Sequence, residues 1–271
     1  MFEGRLPRSG PFKVIFDSLQ GLIDDIKIIV KYEGISFCGL DHRRVALFHM
    51  EIKRKEFVYY EFDVPMVLYV RVLNIRKTLP LIDKSDDIAF QIREGSDRFI
   101  ILSERKDGKR KFKFEYKLTK EITCDLHPPE ISYRSQLSID SLFFRWLVRE
   151  MRSISDKLIL AVDGEIVKFQ TENGTKFGTT SIKTNNKTII RREKVIHKES
   201  GLSNDIYKEE IISSMAYSTR YLSVITRVVS LSNRVILKMS NDLPLLVEYQ
   251  CKEYGVLRYY LAPLFSEDIY Q

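Results

Sequence analysis

Apolar residues recur at helical spacing near the start of each half of the chain. The first set is Phe12, Ile15, Phe16, Leu19, Leu22 and Ile23, and the second is Phe144, Leu147, Val148, Met151 and Ile154. Spacings of three and four place such residues on one face of an amphipathic helix. The first five members of the two sets differ by a constant 132 positions, which indicates an internal duplication.

Each predicted helix leads into two strands joined by a tight turn. The strands are residues 26–30 and 35–37 around Glu33-Gly34, and residues 158–162 and 166–169 around Asp163-Gly164. An acid–glycine pair between apolar runs predicts a hairpin, because glycine accepts the positive φ of a tight turn. A second helix and an alternating strand follow in each half, at 70–79 with 87–92 and at 220–229 with 234–239. The fold class expected is therefore α+β, with two similar domains that each pack two helices on antiparallel sheets.

A proline-containing segment separates the two halves. It includes Pro128-Pro129, and such a pair blocks both helix and central-strand pairing. We interpret the chain as an N-terminal domain over residues 1–118, an extended connector over 119–133 and a C-terminal domain over 134–271. The polar residues 184–207 predict a long exposed loop in the second half.

Composition and charge narrow the functional classes. The 271 residues are 44% hydrophobic and 30% charged, which is typical of a soluble globular protein. The apolar runs are too short to cross a membrane and the N-terminus lacks a signal-peptide pattern, so we expect no membrane association. Three widely spaced cysteines without a Cys-x-x-Cys pair favour a reducing compartment. The net charge of +7 favours polyanion partners without identifying one.

Motifs that would indicate catalysis are absent from the sequence. It contains no phosphate-binding glycine loop, no nucleophile elbow and no His-Glu-x-x-His motif. The four histidines lie apart, and the acidic pairs Asp24-Asp25 and Asp86-Asp87 flank apolar elements, as cap and turn residues do. We therefore expect no enzymatic activity, no cofactor and no metal site.

Basic residues on the predicted helices are more informative. Arg145, Arg149 and Arg152 recur at spacings of four and three, on the face opposite the apolar set. Lys13, Lys77 and Arg227 occupy the other helices. Cationic helix faces with few aromatic residues favour contact with phosphates without base reading. An ordinary solvated helix face is the alternative, and the pattern alone leaves it open.

Four segments carry a resemblance to a known family. They are the opening Met-Phe-Glu, residues 40–47 (LDHRRVAL), residues 126–133 (LHPPEISY), and the ending formed by residues 242–249 (DLPLLVEY) and 255–263 (GVLRYYLAP). Together they resemble the proliferating cell nuclear antigen family of DNA sliding clamps, over essentially the whole chain. The match is most specific at the C-terminal end.

The resemblance implies a homotrimeric ring of six similar domains, with helices lining a central hole and sheets forming the outer wall. Such a ring would encircle double-stranded DNA without sequence preference, in the nucleus or at a viral site of DNA replication. It would act as a processivity factor for DNA polymerase and a docking platform in replication and repair. The implied partners are a polymerase, a clamp loader and nuclease- or ligase-type proteins with glutamine-aromatic motifs. The expected DNA contacts are Lys13, Lys77, Arg110, Arg145, Arg149, Arg152 and Arg227.

Ring closure in this family joins edge strands of neighbouring subunits, and the matching segments here are 109–117 and 176–183. The first alternates apolar and charged residues, as a half-buried strand does. The implied trimer interface consists of Arg110, Phe112, Phe114, Tyr116, Phe177, Thr179 and Ser181. An ordinary internal strand remains the alternative for the first segment.

Partner peptides in this family enter a hydrophobic pocket beneath the connector. The matching residues are Leu40, Arg44, Val45, Leu47, Leu126, Pro128, Ser218, Pro244, Tyr260, Ala262 and Pro263. Apolar side chains would supply the affinity, and the extended connector would add strand-like main-chain bonds.

Several features depart from the family pattern and keep alternatives open. The family is usually acidic overall, whereas this chain is basic, and Trp146 occupies a position that is usually basic. Pro128 and Arg44 also replace the common residues. The alternatives are a subunit of a heterotrimeric checkpoint clamp, a monomeric clamp-like processivity factor that holds DNA by its charge, and an unrecognised nuclease. A nuclease would need clustered carboxylates for metal ions, and the sequence shows no convincing cluster.

Overall fold

A computed structural model describes residues 1–93, 95–120, 127–129, 131–163, 166–183 and 213–264. The first half contains β1 (Phe2–Leu6), α1 (Gly10–Ser18), β2 (Asp25–Lys31), β3 (Gly34–Leu40), β4 (Ala46–Lys53), β5 (Tyr59–Phe62), β6 (Met66–Arg71), α2 (Val72–Thr78), β7 (Asp87–Ile92), β8 (Arg98–Glu104) and β9 (Lys111–Lys117). The second half contains β10 (Ser135–Asp140), α3 (Ser141–Arg152), β11 (Lys157–Asp163), β12 (Ile166–Glu172), β13 (Phe177–Lys183), β14 (Ser213–Ser218), α4 (Thr219–Ile225), β15 (Arg234–Met239), β16 (Leu245–Cys251) and β17 (Gly255–Leu261). Short 3₁₀ helices lie at Arg54–Glu56, Leu79–Leu81 and Thr226–Leu231.

The strands form three antiparallel sheets. One sheet has the order β5-β1-β7-β8-β9, the second has the order β10-β15-β16-β17-β4-β3-β2-β6, and the third has the order β13-β12-β11-β14. The predicted α+β class with antiparallel sheets is therefore confirmed. The eight-stranded sheet contains strands from both halves, which join where β17 pairs with β4.

The two halves repeat one topology. In the first half β1-β7-β8-β9 and β4-β3-β2-β6 are the two runs of paired strands, and in the second half β10-β15-β16-β17 and β13-β12-β11-β14 are their equivalents. The helices follow the same scheme, since α1 and α3 come after the first strand and α2 and α4 come before the last three. This correspondence supports the duplication inferred from the apolar spacing.

The helices pack against one face of the sheets through aromatic side chains. The ring centroid of Phe12 in α1 lies 5.0 Å from that of Phe90 in β7, and the centroid of Phe16 lies 6.0 Å from that of Phe37 in β3. All four rings are fully buried. Burial of each such side chain contributes roughly 1.5–3 kcal/mol to folding, so the spacing of three and four residues that predicted the helix is the spacing that builds the core.

Helix ends differ from the predicted ones for identifiable reasons. The apolar pattern extends to Ile23, but α1 ends at Ser18, and Gly21 then adopts φ +74° in the turn that follows. Leu19, Leu22 and Ile23 remain buried in that turn. Val70 belongs to β6, where it pairs with Ile26, so α2 begins only at Val72. The fourth helix ends at Ile225 and continues as the 3₁₀ helix Thr226–Leu231.

Gly34 makes the first predicted hairpin possible. Lys31 pairs with Gly34 across the turn between β2 and β3. Gly34 has φ +147°, and a Cβ atom there would lie 2.2 Å from the carbonyl oxygen of Ile52. Only glycine fits this approach of β4. At the second predicted hairpin, β11 and β12 pair up to Asp163 and Ile166, whereas Gly164 lies outside the described residues.

The described ends of the predicted connector lie at opposite edges of the eight-stranded sheet. The Thr119 amide donates to the Tyr69 carbonyl in β6, at 2.8 Å, whereas β10 at the far end of the connector is the other edge strand. Residues 119–120, 127–129 and 131–133 belong to neither helix nor strand. Leu126 and the predicted loop 184–207 lie outside the described residues. Among the described helices, each is too short or too polar to cross a membrane.

Candidate DNA and partner interfaces

The helices form a continuous layer across both halves. In that layer α1 contacts α2 and the 3₁₀ helix Thr226–Leu231, and α3 contacts α4. Gln20, just after α1, connects three of these elements. Its side chain accepts a hydrogen bond from Arg76 in α2, and its carbonyl oxygen accepts one from Arg227, at 3.2 Å. Arg76 of the first half and Arg227 of the second half are therefore held close together.

This helix layer is strongly cationic. The four α-helices and the 3₁₀ helix Thr226–Leu231 carry eight basic residues and two acidic ones, Asp17 and Glu150. The basic residues are Lys13, Arg76, Lys77, Arg145, Arg149, Arg152, Arg220 and Arg227. Most of the net charge of +7 thus belongs to the helices. Concentration of charge on one surface is what attraction of a polyanion requires.

Three arginines of α3 are exposed. The helix begins with a side-chain cap, in which Asp140 Oδ1 accepts from the Phe143 amide at 2.8 Å. Arg145, Arg149 and Arg152 all point to solvent. Arg149 contacts Glu150 at 2.9 Å, but its side chain is 74% exposed. Exposed pairs of this kind contribute less than about 1 kcal/mol, so a phosphate can replace the glutamate.

Lys13 and Arg110, two further predicted DNA contacts, also have partners within the chain. The Lys13 ammonium donates to the Ile82 carbonyl, and burial lowers the pKa of this lysine. Arg110 lies 3.1 Å from the carboxylate of Asp86, whose side chain is 1% exposed. A buried carboxylate needs such a counter-ion, so Arg110 anchors the loop that precedes β7. Lys77 and Arg227 are exposed, and the role of all four in DNA binding stays a prediction.

Arg76 and Arg220 are cations of the same layer that the sequence did not single out. Arg220 is exposed, and Arg76 is partly buried 3.9 Å from Asp17. Arg220 follows Thr219, the first residue of α4. The helical pattern of the fourth helix could have identified Arg220 as an exposed cation, because an arginine at the start of this helix faces away from the apolar positions.

β9 and β13 are two of the six edge strands in the described part of the chain. β9 pairs only with β8, and β13 pairs only with β12. Phe112 and Phe114 of β9 are partly buried and stack with ring centroids 5.8 Å apart. Tyr116 differs, because it is 5% exposed and shares a hydrogen bond with Thr78 in α2. Tyr116 therefore belongs to the core of its own half.

The outer face of β13 is fully open. Phe177 is 65% exposed, and Thr179 and Ser181 share its face. Gly178, Thr180 and Ile182 alternate with them on the partly buried side. Five of the predicted interface residues therefore lie on the open parts of two edge strands. Tyr116 is a core residue, and Arg110, just before β9, pairs with Asp86.

An apolar row crosses the face of the eight-stranded sheet that points away from the helices. Leu40 pairs with Leu47, Leu47 with Tyr260, and Tyr260 with Leu246. Tyr260 is 7% exposed and Leu246 is 4% exposed. Burial raises the pKa of Tyr133 at the end of the connector, and the nearby Tyr260 adds to the shift. The structure thus brings together the predicted Leu40, Leu47 and Tyr260, and adds Leu246.

The loop beside this row is built on a buried carboxylate. Asp41 is 3% exposed, and its Oδ1 accepts the amides of Val45 at 2.6 Å and Ala46 at 2.7 Å. The Tyr221 hydroxyl in α4 donates to the other oxygen of Asp41 at 2.7 Å. Burial and this hydrogen bond raise the pKa of Tyr221 to about 12. The loop is therefore fixed to the second half of the chain, while Arg44 at its tip is exposed with φ +58°.

Main-chain hydrogen bonds hold the residues that follow β17. The Ala262 amide donates to the Val45 carbonyl at 2.8 Å, and the Leu264 amide donates to the Ala216 carbonyl at 2.8 Å. Pro263 lies between them and is buried, and Ser218 follows shortly after Ala216 in β14. Pro128 and Pro244 are partly buried. In the described residues, groups of three or more possible metal-ligating side chains are absent.

Two family models together cover residues 1–264 of this chain. The N-terminal domain of proliferating cell nuclear antigen matches residues 1–127, and the C-terminal domain of the same family matches residues 127–264. The chain belongs to the proliferating cell nuclear antigen family. The duplicated fold and the layer of helices are those of this family's clamp subunits, and the two models meet inside the predicted connector.

Family membership makes the chain a DNA sliding clamp in type, with a place in DNA replication and repair. Clamps of the proliferating cell nuclear antigen family are non-enzymatic scaffolds, whose partners in general are DNA and proteins of replication and repair. Two residues that depart from the family pattern are exposed. Arg44 lies at the exposed tip of the Asp41 loop, and Trp146 lies on the exposed face of α3 with 47% of its surface accessible.

Proposed function

We propose that this protein is a homotrimeric DNA sliding clamp that encircles duplex DNA and acts as a processivity factor for DNA polymerase. It would also recruit a clamp loader and nuclease- or ligase-type proteins, without catalysing a reaction itself. Its expected location is the nucleus, or the site of DNA replication of a virus.

The proposal is carried by a comparison of two pairs of strands. β17 and β4 pair within the chain and form what we call the seam, whereas β9 and β13 are edge strands, which we call the open edges. The repeat makes β9 equivalent to β17 and β13 equivalent to β4. Within one chain β17 pairs with β4, whereas β9 and β13 remain open. If β9 of one copy pairs with β13 of the next copy as β17 pairs with β4, every joint of the assembly is alike. Head-to-tail contacts of this kind close into a ring when the rotation per subunit fits.

The helix layer supports the DNA-binding part of the proposal. Exposed cations from both halves lie on one surface, and in a closed ring this surface would line the hole. Lys77, Arg145, Arg149, Arg152 and Arg227 would contact phosphates electrostatically. Such contacts carry no sequence information and so would not arrest sliding. Enclosure of the DNA, rather than tight binding, would then keep the protein in place.

The apolar row supports the docking of partners. Leu40, Leu47, Tyr260 and Leu246 form a hydrophobic strip beside the connector, and the Asp41 loop holds one wall of it rigid. A short peptide with a glutamine and aromatic anchors would place its rings on this strip. Interfaces of this kind draw most of their energy from a few buried aromatic anchors.

Retention on circular DNA tests the proposal. The protein would be loaded onto a nicked circular plasmid by its clamp loader and washed at high salt, which removes electrostatic binding. We expect retention on the circle and release when the plasmid is cut. Release from the intact circle by salt alone would instead support a monomeric or heteromeric clamp-like factor that holds DNA by its basic surface.

A peptide titration tests the docking site separately. Tyr260→Ala should abolish binding of a glutamine-aromatic peptide, measured by titration calorimetry, while Val256→Ala, on the same strand and outside the row, should leave it intact. Unchanged affinity of the Tyr260→Ala protein would place the site elsewhere.

A further inference from the structure

The single tryptophan of the chain is exposed on α3, within the cationic helix layer. Trp146 is 47% exposed on α3, and Leu142, one turn before it, is 66% exposed. On a helix, residues at i, i+4 and i+7 form one row, so Leu142, Trp146 and Arg149 share the outermost line of α3. A large aromatic side chain in this position is costly to leave in water and contributes little to the core.

The aromatic surface is supported from one side and flanked by cations on the other. The ring centroids of Phe143 and Trp146 lie 5.7 Å apart with an interplanar angle of 34°, so Phe143 limits the rotation of the indole. Arg145 precedes Trp146 in the sequence and Arg149 follows it by one turn, and both are exposed. A planar apolar surface beside two guanidinium groups matches a ligand that alternates flat rings with negative charges.

We propose that Trp146 is a base-stacking site for single-stranded DNA, with Arg145 and Arg149 binding the adjoining phosphates. Bases in an intact duplex offer only their edges, because their faces are covered by neighbouring base pairs. Unpaired bases expose their faces and stack on aromatic side chains with little sequence preference. A duplex on the helix layer would slide past Trp146, whereas an unpaired stretch beside it would be held.

This inference rests on the proposed function only in assuming that DNA reaches the helix layer. It adds a mode of contact that phosphate binding does not provide, namely discrimination between paired and unpaired DNA. The discrimination would come from one residue at the position where the family usually has a cation.

Trp146 itself reports the interaction, because the chain contains one tryptophan. The assembled protein would be titrated with an oligodeoxythymidylate of about 16 nucleotides, a length in the range of known single-strand sites. We expect quenching of the tryptophan fluorescence by this oligonucleotide. An abasic oligonucleotide of equal length has the same phosphates without bases, and a duplex of equal length has its bases covered. Both should leave the fluorescence nearly unchanged. Equal quenching by the abasic strand would overturn the proposal.

Variants separate stacking from charge. Trp146→Ala should weaken binding of the labelled oligodeoxythymidylate roughly ten- to hundredfold in an anisotropy titration, as loss of an aromatic stacking partner does. Trp146→Phe should keep most of the affinity because it keeps an aromatic face. Leu142→Ala is the matched control, since Leu142 is exposed on the same row without a π face. Equal weakening by Trp146→Ala and Leu142→Ala would show a general apolar contact and overturn the stacking site.

Two further outcomes distinguish failure of the stacking site from failure of the proposed ring. If Trp146→Ala weakens single-strand binding while the protein fails to stay on circular DNA, the stacking site stands and the ring proposal fails. If Trp146→Ala weakens duplex and single-strand binding by the same factor, the ring proposal is untouched and the stacking site is overturned. A fluorescence change that follows protein concentration without DNA would assign the patch to contact between proteins, and would also overturn it.

Discussion

The seam inside the chain and the open edges differ in what covers their aromatic side chains. At the seam between β17 and β4, the rings of Tyr259 and Phe48 lie 5.6 Å apart and both residues are fully buried. On β9, Phe112 and Phe114 stack on each other but stay partly exposed, and Phe177 on β13 is 65% exposed. The helix-facing core is thus finished at the seam, whereas the helix-facing rings of Phe112 and Phe114 on β9 stay partly uncovered.

This difference indicates that the edges are prepared for a partner strand. The side of β9 that faces solvent carries Lys111, Lys113, Glu115 and Lys117, and Lys113 and Glu115 pair at 2.5 Å. Charges along an exposed edge oppose pairing with unrelated strands. An edge that combines such charges with uncovered aromatic rings favours one specific partner. In our account that partner is β13 of another copy.

A charge placed under the open edge should have the largest effect. Phe112→Asp should raise the dissociation constant of the assembly by more than about a thousandfold, because the interface would bury an unpaired carboxylate. Sedimentation equilibrium measures this. Val58→Asp introduces the same charge at a residue that is 71% exposed, and it should leave the assembly intact. Assembly of the Phe112→Asp protein would contradict the proposed joint.

The same kind of truncation should act differently at the two joints. Phe48→Ala removes a fully buried ring from the seam and should lower the free energy of unfolding by about 3–5 kcal/mol. Phe112→Ala should cost the unassembled chain about 1–2 kcal/mol, since part of its ring is already exposed. Chemical denaturation of dilute protein measures both values. Equal losses in the free energy of unfolding would show that Phe112 is packed as well in the unassembled chain as Phe48 is at the seam.

The seam should also weaken in acid. Burial lowers the pKa of His49 in β4 to about 4, and Arg258, its cross-strand partner, adds to the shift. The unfolded chain binds this proton near pH 6.5. The free energy of unfolding should therefore fall between pH 6.5 and about 4, by about 3 kcal/mol in total. His49→Gln should remove this part of the pH dependence.

The exposed His42 gives the matched control variant for the acid effect, His42→Gln. Strands β9 and β13 contain no histidine, so the seam should carry this dependence without the edges. A His49→Gln protein with the original pH profile would contradict the assignment.

The smallest predicted effect concerns Arg149, which would contact DNA without taking part in the seam or the open edges. Arg149→Ala should reduce the slope of log affinity for duplex DNA against log salt by about 1, with the assembly unchanged. Arg110→Ala is the informative comparison, because it would leave the buried Asp86 without its counter-ion. We expect Arg110→Ala mainly to lower the free energy of unfolding, with a smaller effect on the salt slope. Equal salt slopes for Arg149→Ala and the original protein would show that Arg149 does not contact the DNA phosphates.

The sequence was most informative where the spacing of apolar residues determines both the local structure and which side chains are buried. The apolar spacing in α1 and α3 and the alternation in β7 and β15 predicted these elements, because side chains that share a face also share the core. It was less informative at element ends. The end of α1 at Ser18 depends on the turn at Gly21, and the start of α2 depends on the pairing of Val70 with Ile26.

The candidate sites needed three-dimensional information for a similar reason. Leu246 joins the apolar row only through its cross-strand neighbour Tyr260, and Tyr221 reaches Asp41 from the other half of the chain. No spacing along the sequence encodes such contacts. Conversely, Arg110 looks like a free cation in the sequence, and only the fold shows its ion pair with Asp86.

The solution mass at physiological salt, by light scattering after gel filtration, tests the central claim most directly. We expect a mass near three times the 31.9 kDa of one chain, because β9 of each chain would pair with β13 of the next. A mass of one chain at concentrations where the purified protein is folded would contradict it. The open edges would then belong to a monomeric or heteromeric factor.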